Sequence, residues 1–286
     1  MASTNKNKNK KSELELEYES EEDEDNEELL GVASVGLNGG DHAIPSPFPL
    51  SPTILFEPSI GKDDKFSSET SQDQDMITSS QHYFGSIEDG FSISIIENMK
   101  EEYGLFVWPS SIILAEYVWQ QKSRFSKANV VELGAGTSLP GLVAAKVGAD
   151  VTLTDDANRL EVLDNMRRVC NINGVKCRVL GLTWGVWDAP VFSLCPNIIL
   201  GADVLYDTRA FNDLFATVTF LLQKSPDSVF ITTYHNRSGH HLIEFLMEKW
   251  GLKCTKLLDG FSFMPPHKAS NLSGNIQLAE IVLEVK

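Results

Sequence analysis

The twelve residues Val130-Val-Glu-Leu-Gly-Ala-Gly-Thr-Ser-Leu-Pro-Gly141 carry the clearest signal for the fold of this chain. A predicted β-strand ends at Glu132-Leu133, glycines follow at positions 134 and 136, and Pro140 falls in the first turn of the next helix. Glycine lets the backbone approach a ligand closely, and doubly wound α/β sheets bind cofactors at the carboxyl ends of their strands. The stretch therefore predicts a cofactor-binding turn. A tight strand–helix turn without a ligand is the alternative.

The side chains around this turn narrow the class of cofactor. A dinucleotide-binding turn would carry a third glycine at position 139, where this chain has Leu139. Glu132 at the end of the strand favours instead a cofactor with positive charge, contacted directly or through bound water. Asp155 ends the next predicted strand, nineteen residues after Gly136, where a carboxylate can accept both hydroxyls of a ribose. Together the two acids predict a positively charged cofactor that contains a ribose.

Strand and helix patterns alternate along the rest of the chain. The predicted strands are 129–133, 150–154, 176–181, 197–202, 229–234, 251–258 and 276–285. The predicted helices between them are 139–147, 157–173, 208–224 and 239–249. Such alternation implies a parallel sheet with helices on both faces. The predicted fold class is α/β, with a Rossmann-like, seven-stranded, mostly parallel, doubly wound sheet.

An extension precedes this sheet. Residues Phe91-Ser-Ile-Ser-Ile-Ile96 alternate with period two after a Glu-Asp-Gly turn, which predicts one arm of a hairpin. Pro109 then opens an apolar stretch that predicts a helix to about Gln121.

Two later loops add candidate site residues at the same edge of the sheet. Trp184 follows the third predicted strand, where an indole can cover an adenine face or serve only as a packing anchor. Asp203 ends the fourth strand, where a carboxylate can bind a cationic substrate, and Tyr206 can return to the same side. Asp203 could also cap the following helix, but Asp207 and Thr208 are better placed to do so.

The charge of the chain is unevenly distributed. Of the net −16, residues 1–82 carry −12 (18 acids, 6 bases) and residues 83–286 carry −4 (22 acids, 18 bases). The first segment is acidic and then rich in proline and serine, a composition that cannot bury enough apolar surface to fold. We therefore predict a disordered tail over 1–82 and one domain over 83–286. An acidic chain of this kind argues against direct nucleic-acid binding through a broad basic surface.

Other features exclude further classes. No apolar run approaches the ~18 residues of a membrane helix. The four cysteines form no C-x-x-C pair and have no histidine at metal-ligand spacing, so no metal site is predicted. Reduced thiols indicate a cytosolic or nuclear protein.

Taken in order, these motifs resemble the seven-β-strand, S-adenosylmethionine-dependent methyltransferases, and more narrowly the methyltransferase-like family that modifies protein side chains. The resemblance covers about residues 83–286. It rests on segments 104–109 (GLFVWP), 132–136 (ELGAG), Asp155, 182–185 (LTWG) and 202–206 (ADVLY).

The resemblance implies S-adenosyl-L-methionine as the cofactor and assigns roles by position. Trp108 would line the cofactor site, and Gly134, Ala135 and Gly136 would contact the methionine part. Asp155 would hold the ribose, Trp184 would contact adenine, and Ala202 would lie near the reaction centre. Asp203 and Tyr206 match a signature associated with lysine methylation. The motifs also resemble those of one subgroup of the family, and that resemblance implies instead a histone-arginine methyltransferase of nucleus and cytoplasm.

This chain lacks the motifs that are typical of two other classes of methyltransferase. Methyltransferases of nucleobases commonly carry an Asn/Asp-Pro-Pro-Tyr/Phe loop where this chain has Ala202-Asp-Val-Leu-Tyr206. The double-glutamate loop of the main arginine methyltransferases is also absent after the fourth strand. We therefore expect an N-methyltransferase that acts on arginine or lysine of a protein, with histones or other basic proteins as candidate partners and no membrane partner. A small-molecule or nucleotide methyltransferase, or a non-catalytic cofactor-binding protein, remains an alternative.

Overall fold

The computed structural model describes residues 77–98, 103–236 and 240–284. The strands are β1 (Ile77–Phe84), β2 (Phe91–Asn98), β3 (Asn129–Glu132), β4 (Asp150–Asp155), β5 (Arg178–Gly181), β6 (Ile198–Ala202), β7 (Val229–His235), β8 (Leu252–Asp259) and β9 (Ile276–Leu283). The helices are α1 (Pro109–Gln120), α2 (Lys122–Phe125), α3 (Leu139–Lys146), α4 (Leu160–Ile172), α5 (Ala189–Phe192), α6 (Phe211–Lys224), α7 (His240–Lys249) and α8 (Pro266–Ala269), with a short 3-10 helix at Tyr103–Leu105.

In the part of the chain that the structure describes, seven strands form one sheet in the order β5-β4-β3-β6-β7-β9-β8. Strands β3 to β7 run parallel, and β9 is antiparallel to both of its neighbours. The predicted seven-stranded, mostly parallel α/β sheet is confirmed. Because β3 lies between β4 and β6, the strand order reverses there, and this is where such folds open a crevice for a ligand.

The sheet separates two apolar cores. Val130 packs into the core with α1, α3 and α4, whereas Val131 packs into the core with α6 and α7. This follows from the pleat of β3, in which successive side chains point to opposite faces. A strand that is buried on both faces has a continuous run of apolar residues in its sequence. The short strands before each turn could therefore be recognised from the sequence.

The N-terminal hairpin starts earlier than predicted. Strand β1 begins at Ile77 and pairs with β2 from Ile77↔Asn98 to Phe84↔Phe91, so the predicted boundary between tail and domain at 82/83 falls inside this strand. The sequence of β1 is largely polar and its side chains are mostly exposed, so composition alone does not reveal it. Its order comes from pairing with β2, which the alternation in 91–96 did predict. Residues 1–76 of the predicted disordered tail lie outside the described residues.

The hairpin is anchored to the domain by apolar and polar contacts. Phe84, Ile93 and Ile95 are buried in the core beside α3 and α4. The Asn173 side chain accepts a hydrogen bond from the Ser94 amide and donates one to the Ser94 carbonyl.

Within 77–98, 103–236 and 240–284, no helix is long and apolar enough to cross a membrane.

Candidate active site

A cavity of about 400 Å³ opens at the carboxyl ends of β3, β4 and β6. Nine of the ten site residues predicted from the sequence line it: Trp108, Gly134, Ala135, Gly136, Asp155, Trp184, Ala202, Asp203 and Tyr206. They come from loops far apart in the chain, and the strand order brings them to one edge of the sheet. Glu132 does not line the cavity.

The glycine turn fits tightly between neighbouring segments. Gly134 and Gly136 have φ of +58° and +51°, values that residues with a Cβ rarely adopt. A Cβ on Gly136 would lie 2.9 Å from the Gly104 carbonyl oxygen, and one on Gly134 would lie 3.1 Å from the ring of Trp184. The absent side chains therefore let the turn pack closely against Gly104 and Trp184 while its main chain lines the cavity, which is the shape a closely held ligand needs.

Asp155 closes one side of this turn. Its Oδ2 accepts a hydrogen bond of 2.9 Å from the Gly136 amide, and its Oδ1 accepts one of 2.9 Å from the Asp156 amide. Burial raises the pKa of Asp155, against the opposing effect of these two amides. Each carboxylate oxygen keeps a second acceptor position, which can receive the hydroxyls of a ribose.

Glu132 lies behind the turn and supports it. Its side chain is 1% exposed, and its Oε2 accepts a hydrogen bond of 2.9 Å from the Gly141 amide in the first turn of α3. Burial raises the pKa of Glu132 from 4.5 to about 8, so the group is largely uncharged at neutral pH. The predicted role of Glu132 as a cofactor contact is therefore corrected: it joins β3 to α3 and fixes the loop between them. The sequence could not show this, because only the packing of Gly141 against β3 directs the carboxyl group away from the cavity.

The other end of the cavity carries Asp203, the residue predicted to bind a cationic substrate. Asp203 is 9% exposed and has φ of +54°, an uncommon conformation that is found in residues held in place for function. Its amide donates a hydrogen bond of 2.7 Å to the Thr233 carbonyl, which fixes the loop after β6 against β7. Tyr206 lies nearby with 52% of its surface exposed, and burial of the remainder raises the pKa of its hydroxyl.

Two aromatic rings form one wall of the cavity. Trp108 immediately precedes α1, and its ring meets that of Phe106 edge-to-face with centroids 5.3 Å apart. Both rings line the cavity, as does Ser111 from the first turn of α1.

Several lining residues were not predicted from the sequence. They are Gly104, Phe106, Ser111, Thr137, Asp156, Arg159, Leu182, Thr183, Val204, Ala210 and Asp213. Asp156 lines the cavity and accepts a hydrogen bond of 2.7 Å from the Thr183 hydroxyl. Its position directly after Asp155 was the available signal. Asp213 carried no signal, because the packing of α6 against the Trp184–Gly185 turn brings it there.

The sequence of this chain is similar to those of known methyltransferases. The sequence pattern of a family described as lysine methyltransferase matches residues 87–248. A histone-arginine methyltransferase METTL23 of Xenopus laevis is 42% identical over 175 residues, which are 60% of this chain and 75% of the relative. The human protein of that name is 37% identical over 155 residues (54% and 82%). The EEF1A lysine methyltransferase 3 of Mus musculus is 35% identical over 134 residues (46% and 57%).

Solved structures with low sequence identity share the fold. The 16S rRNA N2 G1207 methyltransferase RsmC of T. thermophilus, solved with AdoMet and guanosine, aligns with a TM-score of 0.50 at 15% identity, over 73% of this chain and 51% of that one. The CcbJ methyltransferase of Streptomyces caelestis aligns with a TM-score of 0.50 at 11% identity (65% and 94%).

Proposed function

The chain belongs to the lysine methyltransferase family, and from that premise we propose that it methylates a cationic side-chain nitrogen in a basic protein, with arginine as the first candidate. Membership makes it an S-adenosylmethionine-dependent protein methyltransferase. The proposal concerns the acceptor and the residues that serve it.

The residues of the cavity fit the cofactor. The open main chain at Gly134–Gly136 would accommodate the methionine part, and the free acceptor positions of Asp155 would bind the ribose hydroxyls. Trp184 would offer an apolar face for the adenine. When bound, S-adenosyl-L-methionine supplies an activated methyl group.

The residues of the protein would orient the acceptor and manage its charge. The carboxylate of Asp203 attracts a cationic side chain and aligns its nitrogen, while Tyr206 shapes the opening and can accept a hydrogen bond. The nitrogen must lose a proton for its lone pair to react, and that proton can pass to a carboxylate oxygen of Asp203 or to solvent. Solvent is close, because half of Tyr206 is exposed at the mouth of the cavity.

The position of Asp203 is the observation that carries this proposal. A largely buried carboxylate in a positive-φ loop, at the edge of a cofactor cavity, suits a cationic partner. A single carboxylate can serve arginine or lysine. Arginine is favoured by relatives of 37–42% identity that are named histone-arginine methyltransferases. Lysine is the second candidate, favoured by the family description and by lysine methyltransferases of 34–35% identity.

Mass spectrometry of acceptors after methyl transfer tests the proposal. The protein is incubated with isotopically labelled S-adenosyl-L-methionine and, in separate reactions, with core histones, total RNA or a metabolite extract. We expect labelled arginine in a histone. Labelled lysine would replace the first candidate with the second. Label in RNA or metabolites alone, or cofactor binding without transfer to any fraction, would refute core histones as the substrate.

A further inference from the structure

The hairpin β1–β2 lies outside the main sheet, yet one of its side chains reaches the wall of the cavity. Glu97, near the end of β2, is 8% exposed, and both of its carboxylate oxygens are engaged. Oε1 accepts a hydrogen bond of 2.6 Å from the Ser80 hydroxyl, and Oε2 accepts one of 2.9 Å from the Val107 amide. The carboxylate thus links both arms of the hairpin to residue 107.

Val107 is the central residue of the aromatic wall. Its own side chain is buried in the core beside the hairpin, whereas Phe106 and Trp108 line the cavity. This alternation is that of an extended segment, in which neighbouring side chains point to opposite sides. Holding the Val107 amide therefore sets the direction of both aromatic rings.

The far end of the wall has an anchor of its own. The Trp108 carbonyl accepts hydrogen bonds from the Ser111 amide at 2.9 Å and the Ser111 hydroxyl at 2.8 Å, at the start of α1. On the near side, the bond from Val107 to Glu97 holds the segment between the 3-10 helix and Trp108. The wall is thus attached to the hairpin on one side and to α1 on the other.

We propose that Glu97 is a positioning residue for the methyltransferase site, which acts through the Val107 amide to hold the Phe106–Trp108 wall in place. The assignment of this cavity to cofactor and acceptor rests on the proposed function. The link between Glu97 and the wall does not, and it can be measured without any ligand.

The first measurement is hydrogen exchange of the Val107 amide in the ligand-free protein. Glu97→Ala removes the acceptor, so the exchange rate should rise at least about tenfold, as expected for loss of a buried hydrogen bond. Glu97→Gln keeps an acceptor oxygen and should stay within about threefold of wild type. Should Glu97→Ala fail to fold, Glu97→Asp withdraws the carboxylate by one methylene and should raise the rate in the same direction.

Asn173→Ala provides the matched control. It removes the two bonds between Asn173, the residue that follows α4, and Ser94, and so loosens the hairpin without touching Val107. We expect faster exchange at Ser94 but a Val107 rate within about threefold of wild type. If Asn173→Ala accelerates Val107 as much as Glu97→Ala does, the effect is general hairpin stability and the positioning role is refuted. An unchanged Val107 rate in Glu97→Ala would refute it as well.

The second measurement is cofactor affinity by calorimetry on the same variants. Glu97→Ala should raise the Kd for S-adenosyl-L-methionine by about tenfold, while Glu97→Gln and Asn173→Ala should stay within about threefold. Faster Val107 exchange with unchanged Kd would overturn the link from wall to site. Failure to find methyl transfer would refute the proposed function and leave the exchange result standing.

Discussion

At the cofactor end of the cavity the acidic groups accept hydrogen bonds from main-chain amides, whereas at the acceptor end a buried carboxylate lies beside a half-exposed tyrosine. Asp155 bonds to the amides of Gly136 and Asp156, and Glu132 bonds to that of Gly141 behind the turn. Asp203, by contrast, sits in a positive-φ loop, and Tyr206 beside it is half exposed. The difference fits the ligands proposed for the two ends: a constant small molecule at the first, and the side chain of a large partner at the second.

Because Asp155 is held by two main-chain amides, its loss should have the largest effect on cofactor binding. Asp155→Ala should weaken the affinity for S-adenosyl-L-methionine by about 1.5–3 kcal/mol, the cost of lost hydrogen bonds with a charged group. Calorimetry measures this directly. Asp164→Ala, which removes an exposed carboxylate on α4, serves as the control and should bind normally. Wild-type affinity in Asp155→Ala would refute the ribose assignment.

At the acceptor end, the expected effect is on turnover instead of cofactor binding. Asp203→Asn keeps the shape of the side chain but removes its charge, so turnover on a protein substrate should fall at least about tenfold. Cofactor affinity should remain near that of wild type. Asp207→Asn changes a carboxylate that pairs with Arg209 outside the cavity, and should leave turnover unchanged. Normal turnover in Asp203→Asn would remove Asp203 from the site.

Two substitutions can separate the effect of tight packing at the glycine turn on stability from the effect of its backbone conformation. Gly136→Ala and Gly174→Ala both place a Cβ at φ between +50° and +60°, which costs about 1–2 kcal/mol of stability. Only Gly136→Ala also collides with the Gly104 carbonyl, whereas a Cβ on Gly174 would have no atom within 4 Å beyond those of its chain neighbours. Urea unfolding should therefore show a larger loss for Gly136→Ala. Equal losses would mean that the turn tolerates the contact.

A separate effect is expected behind the turn, in the pH dependence of stability. Burial raises the pKa of Glu132 from 4.5 to about 8, so between these values the folded protein keeps a proton that the unfolded chain releases. The contribution of this group to the free energy of unfolding therefore falls as pH rises through that window, by at most about 1.4 kcal/mol per pH unit. Glu132→Gln removes the titration and should flatten the profile measured by urea unfolding from pH 5 to 8. Parallel profiles would contradict a buried, protonated Glu132.

Site residues at strand ends could be predicted from the sequence, whereas those placed by the packing of helices and loops could not. Gly134, Gly136 and Asp155 were predictable because each follows a recognisable buried strand, and parallel strands bring such positions together at one edge. Glu132 was assigned the wrong contact, since its direction depends on how α3 packs. Asp213 and the Phe106 ring depend in the same way on tertiary packing. Strand β1 was missed because its order arises from pairing with β2 rather than from its own composition.

Single-turnover methyl transfer at saturating cofactor tests the two-ended cavity most directly. Wild type, Asp155→Ala and Asp203→Asn are each loaded with labelled S-adenosyl-L-methionine at a concentration well above the measured Kd and mixed with core histones. We predict that Asp155→Ala transfers its methyl group at nearly the wild-type rate, because its defect lies in binding, while Asp203→Asn is at least about tenfold slower. Equal rates for Asp203→Asn and wild type, or equal slowing of both variants, would contradict the division of the cavity into a cofactor end and an acceptor end.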